Sequence, residues 1–121
     1  MRRFLEEAGR GIFAMQRCED CGRWNHPPLP RCRNCHGTAL SWTPVSGRGA
    51  VRSYTTASPR LMKLGPEPMV FVRVELHVQD GLLHVARLVR GGDTQVRRGL
   101  EVDVCFEPGP DGALLPQFRP M

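Results

Sequence analysis

Apolar and polar residues alternate with period two through most of the second half of the chain. Over residues 69–79 the pattern places Val70, Val72, Val74, Leu76 and Val78 on one face and Arg73, Glu75 and His77 on the other, which predicts a strand with one buried side. Asp80-Gly81 reads as a two-residue hairpin turn, and residues 82–89 return as the partner strand. Residues 50–57, 100–107 and 113–118 supply three more β-rich runs; in the second of these, Leu100, Val102, Val104 and Phe106 alternate with Glu101, Asp103, Cys105 and Glu107. Residues 58–68, 90–93 and 108–112 are rich in Gly, Pro and charge and read as the connections, with a short segment at 94–99. Five short strands, each with one apolar face, predict a small closed barrel, and the OB-fold is the common five-stranded solution.

The first half has a different pattern. Residues 1–8 form a short amphipathic helix with Phe4, Leu5 and Ala8 on one side and Gly9 as its stop. A helix this short does not hold in water by itself, so it must pack on the core or on another chain. Residues 11–17 read as a strand, residues 26–30 as a rigid proline arm, and residues 38–44 as a returning strand that carries Trp42. Ser46-Gly-Arg-Gly49 marks the point where one pattern hands over to the next, its glycines suited to a bend or bulge. The expected fold is therefore mainly β: an N-terminal helix and ribbon over 1–45, then a five-stranded OB-fold barrel over 46–121.

At the ends of the two early strands lie Cys18-Glu-Asp-Cys21-Gly22 and Cys32-Arg-Asn-Cys35-His-Gly37. Each Cys-x-x-Cys turn aims two sulfurs at one point, and the spacer from Gly22 to Arg31 lets the two turns face each other around a tetrahedral ion. This is the layout of a zinc ribbon. Four thiolates leave no open position for water, so Cys18, Cys21, Cys32 and Cys35 are expected to hold a structural Zn2+; iron, as in rubredoxin, uses similar knuckles. With four well-spaced cysteines present, His26 and His36 are not needed as ligands. Trp24 and Trp42 lie near the ribbon and are expected to shield the site.

Composition changes this picture little. The formal net charge of +5 falls to about +3 once four thiolates surround one divalent cation. The basic residues are nearly all arginine, with Lys63 the single lysine. Guanidinium suits phosphate and carboxylate, although coding bias produces the same preference. No run approaches the roughly 20 apolar residues of a membrane span, and residues 1–7 lack the apolar core of a signal peptide. Reduced, metal-bound thiols with a fifth cysteine left over do not read as a disulfide framework, so a soluble, cytoplasmic protein is expected.

Little points to catalysis within the chain. Cys105 has no histidine paired with it in sequence and reads as a packed, inert thiol. His77 and His84, on paired strands either side of the turn, read as a facing surface pair. No Ser/His/Asp triad, phosphate-cradling glycine loop or paired-carboxylate site is present. A zinc ribbon joined to an OB-like barrel invites a second reading, a single-stranded nucleic-acid-binding module, but the strand faces mix Arg with Glu and Asp rather than forming a basic stripe.

Taken in order, Phe4-Leu-Glu-Glu, Gln16-Arg-Cys-Glu-Asp-Cys-Gly22, Pro27-Pro28, Cys32-x-x-Cys35, Ser46-Gly-Arg-Gly-Ala-Val-Arg-Ser-Tyr-Thr55, Gly99-Leu-Glu-Val102 and Phe118-Arg-Pro120 resemble the DUF35 family throughout the chain. That family consists of rubredoxin-like zinc ribbons fused to an OB-fold. The resemblance implies a non-catalytic companion of enzymes acting on acyl-CoA: a thiolase-fold thiolase or acyltransferase, an aldolase that shortens steroid side chains, or a fused or associated MaoC-like hydratase. It would order the partner, help to bind the coenzyme A ester, or pass it between sites. The very short N-terminal helical region is what a domain cut from a hydratase fusion would show. Arg31, Arg33 and Arg48, flanking the knuckles and the junction, are the candidates for the coenzyme A phosphates, with solvated surface and partner salt bridges as competing uses.

Overall fold

The computed structural model describes residues 2–57, 69–89 and 96–121. Helix α1 (Arg2–Gly9) leads into a three-stranded antiparallel sheet of β1 (Ala14–Cys18), β2 (Trp24–Asn25) and β3 (Leu40–Pro44), with β1 in the middle. The remaining strands, β4 (Gly49–Ala57), β5 (Met69–Leu76), β6 (Leu83–Leu88), β7 (Glu101–Pro108) and β8 (Leu114–Pro120), close into a barrel of order β4-β5-β6-β8-β7. Every described pairing is antiparallel except β6 with β8, which meet in parallel at Leu88↔Phe118. Closure comes from Gly49↔Val102 and Ala50↔Glu101. This is the expected five-stranded OB-type barrel behind a zinc ribbon. Among the described residues, no helix is long and apolar enough to cross a membrane.

The period-two reading of the barrel holds where strands are paired and fails where they end. Val70, Val72, Val74 and Leu76 are buried, but Val78 is 42% exposed because β5 stops at Leu76. The two-residue turn expected at Asp80-Gly81 is in fact a longer connection. Leu76 N–H donates to Leu82 C=O, and Gly81 takes φ +77° inside the loop they enclose. The expected connections at 58–68 and 90–93 lie outside the described residues.

Gly47 and Gly49 are required by close approach and not by a bend. A Cβ on Gly47 would collide with the Val104 side chain, and one on Gly49 with the Glu75 carbonyl and Val74. Val104 N–H donates to Gly47 C=O and His77 N–H to Arg48 C=O, so the link lies flat against β7 and the end of β5. The strand irregularity sits further on, between Val51 and Ser53.

The helix buries Phe4 and Ala8, an i,i+4 pair, and leaves Leu5 49% exposed, against the expectation for Leu5. Leu5 is about 100° around the helix from Phe4, and the barrel accommodates only the one stripe. Phe4, Phe13 and Met15 join the barrel residues Val72, Val102 and Phe118 in one continuous core. The helix and β1 thus stand on the barrel, and the ribbon is held against it by shared apolar burial, which contributes roughly 2 kcal/mol per large side chain.

Candidate functional site: the metal centre and the adjoining cleft

Both knuckles are built the same way. In the first, Gly22 N–H donates to Cys18 C=O at 2.8 Å; in the second, His36 N–H donates to Cys32 C=O at 2.9 Å. The residue after each second cysteine must therefore take a left-handed backbone: Gly22 has φ +78° and His36 has φ +65°. Glycine does this without strain, whereas histidine does it at some cost. Gly37 is needed for space, since a Cβ there would lie 2.9 Å from Asp20 Oδ2 and 3.3 Å from Cys35 Sγ.

Cys18 Sγ lies 3.5 Å from Cys35 Sγ, Cys21 Sγ lies 3.5 Å from Cys32 Sγ, and all four sulfurs fall within 4.8 Å of one another. Tetrahedral zinc with bonds of about 2.3 Å sets its sulfurs about 3.8 Å apart, inside this range. The donor set has the electrostatics of an ion site. The Cys35 backbone N–H, with help from Asn25 and Asn34, draws the Cys32 thiol down to about 6, and Asn34 and the Arg23 backbone lower Cys21. The Gly37 N–H favours a Cys35 thiolate, but Cys18, burial and the other two sulfurs prevail and push it up to about 12. The set cannot ionise fully until a cation balances it. Cys18, Cys21, Cys32 and Cys35 thus form a structural zinc site. His26 and His36 take no part in the cluster, and Cys105 lies half-buried on β7 outside it.

Three polar side chains that sequence reasoning passed over, Gln16 and Asn25 buried and Gln79 half-buried, hold the ribbon in shape. Gln16 grips the proline arm with two hydrogen bonds, Nε2 to Leu29 C=O at 2.8 Å and Oε1 from Leu29 N–H at 2.9 Å. Asn25 Oδ1 accepts from Arg33 N–H at 3.0 Å, tying β2 to the second knuckle. Gln79, in the β5–β6 loop, accepts from Trp24 N–H at 2.8 Å and donates to Trp24 C=O at 3.0 Å, clamping ribbon to barrel. Their one signal in sequence is a polar residue within an apolar or turn context, and partners 13 and 55 residues away give it no local period.

The histidines also differ from expectation. His77 is exposed and 2.6 Å from Glu101, whereas His84 is buried and turned inward, so the two do not face each other. His84 Nδ1 instead lies 3.2 Å from His26 Nε2, among the rings of Phe4, Phe13 and Phe118. Trp24 and Trp42 pack on the shared core, and the Arg17 guanidinium sits 5.2 Å over the Trp24 ring.

Between the ribbon and the β5–β6 loop is a cleft of about 420 Å³ lined by Arg23, Trp24, Asn25, His26, Arg33, Asn34 and Gln79, among others. Of the three arginines singled out by sequence, Arg33 lines it. Arg31 donates to His36 C=O at 3.3 Å and Arg48 is exposed beside Ser46, neither of them on the cleft. Arg23, not anticipated, supplies the second guanidinium.

Residues 5–41 match the ChsH2 rubredoxin-like zinc ribbon domain. No curated protein matches the sequence at a significant level. Among solved structures, a chain of the Ltp2-ChsH2(DUF35) aldolase is similar to this one with a TM-score of 0.83 and 30% identity, over 98% of this chain and 92% of that one. A DUF35 protein of unknown function from Sulfolobus solfataricus has a TM-score of 0.64 and 16% identity over 99% of this chain and 84% of the other, and so shares the fold. The four-cysteine ribbon, the closed barrel behind it and the likeness along nearly its whole length make this chain a member of the DUF35 family, with a zinc ribbon of the ChsH2 type.

Proposed function

We propose that this chain is a non-catalytic subunit of an aldolase complex that acts on an acyl-CoA ester, its partner being a thiolase-fold enzyme that supplies the catalytic residues. The observation that carries this is the 30% identity, along nearly the whole chain, to the DUF35 chain of an aldolase assembly. The zinc is consistent with a supporting role, since four thiolates fill its coordination sphere and leave no position for a reacting water. The cleft beside the ribbon is the site proposed for the ester's phosphates. Its volume suits a small ligand, and Arg23 and Arg33 are forked donors matched to phosphate oxygens.

The test is co-expression with a thiolase-fold aldolase subunit, followed by purification through a tag on one chain. A stable complex whose retro-aldol activity on acyl-CoA collapses without this chain is expected. An aldolase that is fully active and unassociated rules the proposal out.

A further inference from the structure

The outer face of the barrel carries a second concavity, of about 360 Å³, between α1 and the strands β6 and β8. Here β6 and β8 are bridged at Leu88↔Phe118, and upstream of it the Arg87 N–H is taken by the Gln117 side chain rather than by a β8 carbonyl. Its walls are apolar. Leu5 is 49% exposed on α1 and Val85 is 60% exposed in the middle of β6, with Phe71 and Leu115 completing the lining. Solvated strand positions on a barrel exterior are ordinarily polar, so two large exposed aliphatics around one groove are a sign of a covered surface.

Arg87 identifies what covers it. Among the described lining residues it is the one permanent charge, and none of them is a carboxylate. Its backbone N–H is satisfied by Gln117 Oε1 at 2.8 Å, but its Nε is buried with no hydrogen-bond partner. Covering the groove with a purely apolar surface would strip the remaining water from this guanidinium and leave the charge unpaired, a heavy penalty. An isologous dimer centred on the groove would bring up the same described lining, which holds no carboxylate to answer Arg87. A nucleic-acid strand would find one cation and no basic track. An apolar side chain adjoining an Asp or Glu fits both the walls and the guanidinium.

We infer that this groove is the docking surface for the aldolase subunit, which places an apolar side chain between Leu5 and Val85 and a carboxylate on Arg87. The inference rests on the proposed function for the existence of that subunit, and it adds where the subunit binds. The surface lies on a different part of the chain from the cleft lined by Arg23 and Arg33, so docking and ester binding are assigned to separate residues.

Calorimetric titration of the zinc-loaded full chain with a thiolase-fold aldolase subunit tests it, with Val85→Asp, Arg87→Glu and, as a control elsewhere on the surface, Arg98→Gln. Val85 is mostly exposed, so Val85→Asp should keep the wild-type melting temperature and zinc content. Each groove variant should weaken binding about tenfold or more, and Arg98→Gln should not. If the wild type binds and the groove variants bind equally well, the docking surface lies elsewhere, the inference is overturned and the proposed function stands. If the wild type binds no such subunit, both fail. If the chain alone self-associates and Val85→Asp abolishes that, the groove belongs to a second copy and the inference is overturned.

Discussion

Acidification should loosen the junction between ribbon and barrel through His84. This imidazole is enclosed by Phe4, Phe13 and Phe118, and its hydrogen-bond partner is another imidazole, His26. Burial first, and the nearby His26 second, depress its pKa from the ordinary 6.5 to about 4; His26 is itself lowered, by burial. In the unfolded chain His84 takes up a proton near pH 6.5, while in the folded chain it resists until about pH 4. Between those values the unfolded state binds more protons, so stability is complete above pH 6.5, falls with decreasing pH and levels off below about 4. A gap of about 2.5 units at 1.36 kcal/mol each is about 3 kcal/mol, a large part of the stability of a domain this size. Urea denaturation of the zinc-loaded protein from pH 7 to pH 4, for the wild type and for His84→Phe, isolates the effect because protonation of the zinc thiolates is common to both. The wild type should lose about 3 kcal/mol more than the variant across this window. Equal losses, or an NMR titration that places the His84 ring near 6.5, would refute the reasoning.

Other consequences follow from the same geometry. Cys18→Ser or Cys32→Ser, or a strong chelator, should release zinc and unfold the ribbon, since the sulfurs cannot jointly ionise without a cation; metal analysis with hydrogen exchange over residues 14–44 reads this. His36→Gly should raise stability by about 1 kcal/mol by relieving the left-handed backbone at φ +65°, with zinc stoichiometry unchanged, as thermal melts would show. Gln79→Ala leaves the Trp24 N–H and C=O without their partner and should cost about 1–3 kcal/mol, with faster exchange at β2 ahead of the barrel strands.

The residues that spoke plainly in the sequence are those whose role depends on near neighbours. The two Cys-x-x-Cys turns, the alternation through Val70, Val72, Val74 and Leu76, and the glycines that separate the halves each report a local backbone requirement. They were enough for the zinc site, the five strands and the barrel. Val78 and Leu5 were misplaced because periodicity says which residues share a face but not where the strand ends or how wide the buried stripe is. His84 looked like a surface residue because nothing near it in sequence reveals that His26, from the other half of the chain, packs against it.

The sequence by itself thus determined the four-cysteine cluster and the class of fold, since these follow from spacing and period. Only the tertiary structure decided which polar groups meet. Gln79 clamps Trp24 across 55 residues, Arg33 shares a cleft with Arg23 while Arg31 and Arg48 lie away from it, and Arg87 is left with an unanswered Nε beside exposed Leu5 and Val85. Such meetings depend on how two independently patterned halves are pressed together by a shared apolar core. Burial is non-directional, so the pattern of apolar residues requires that the halves pack but does not record which side chains are brought face to face.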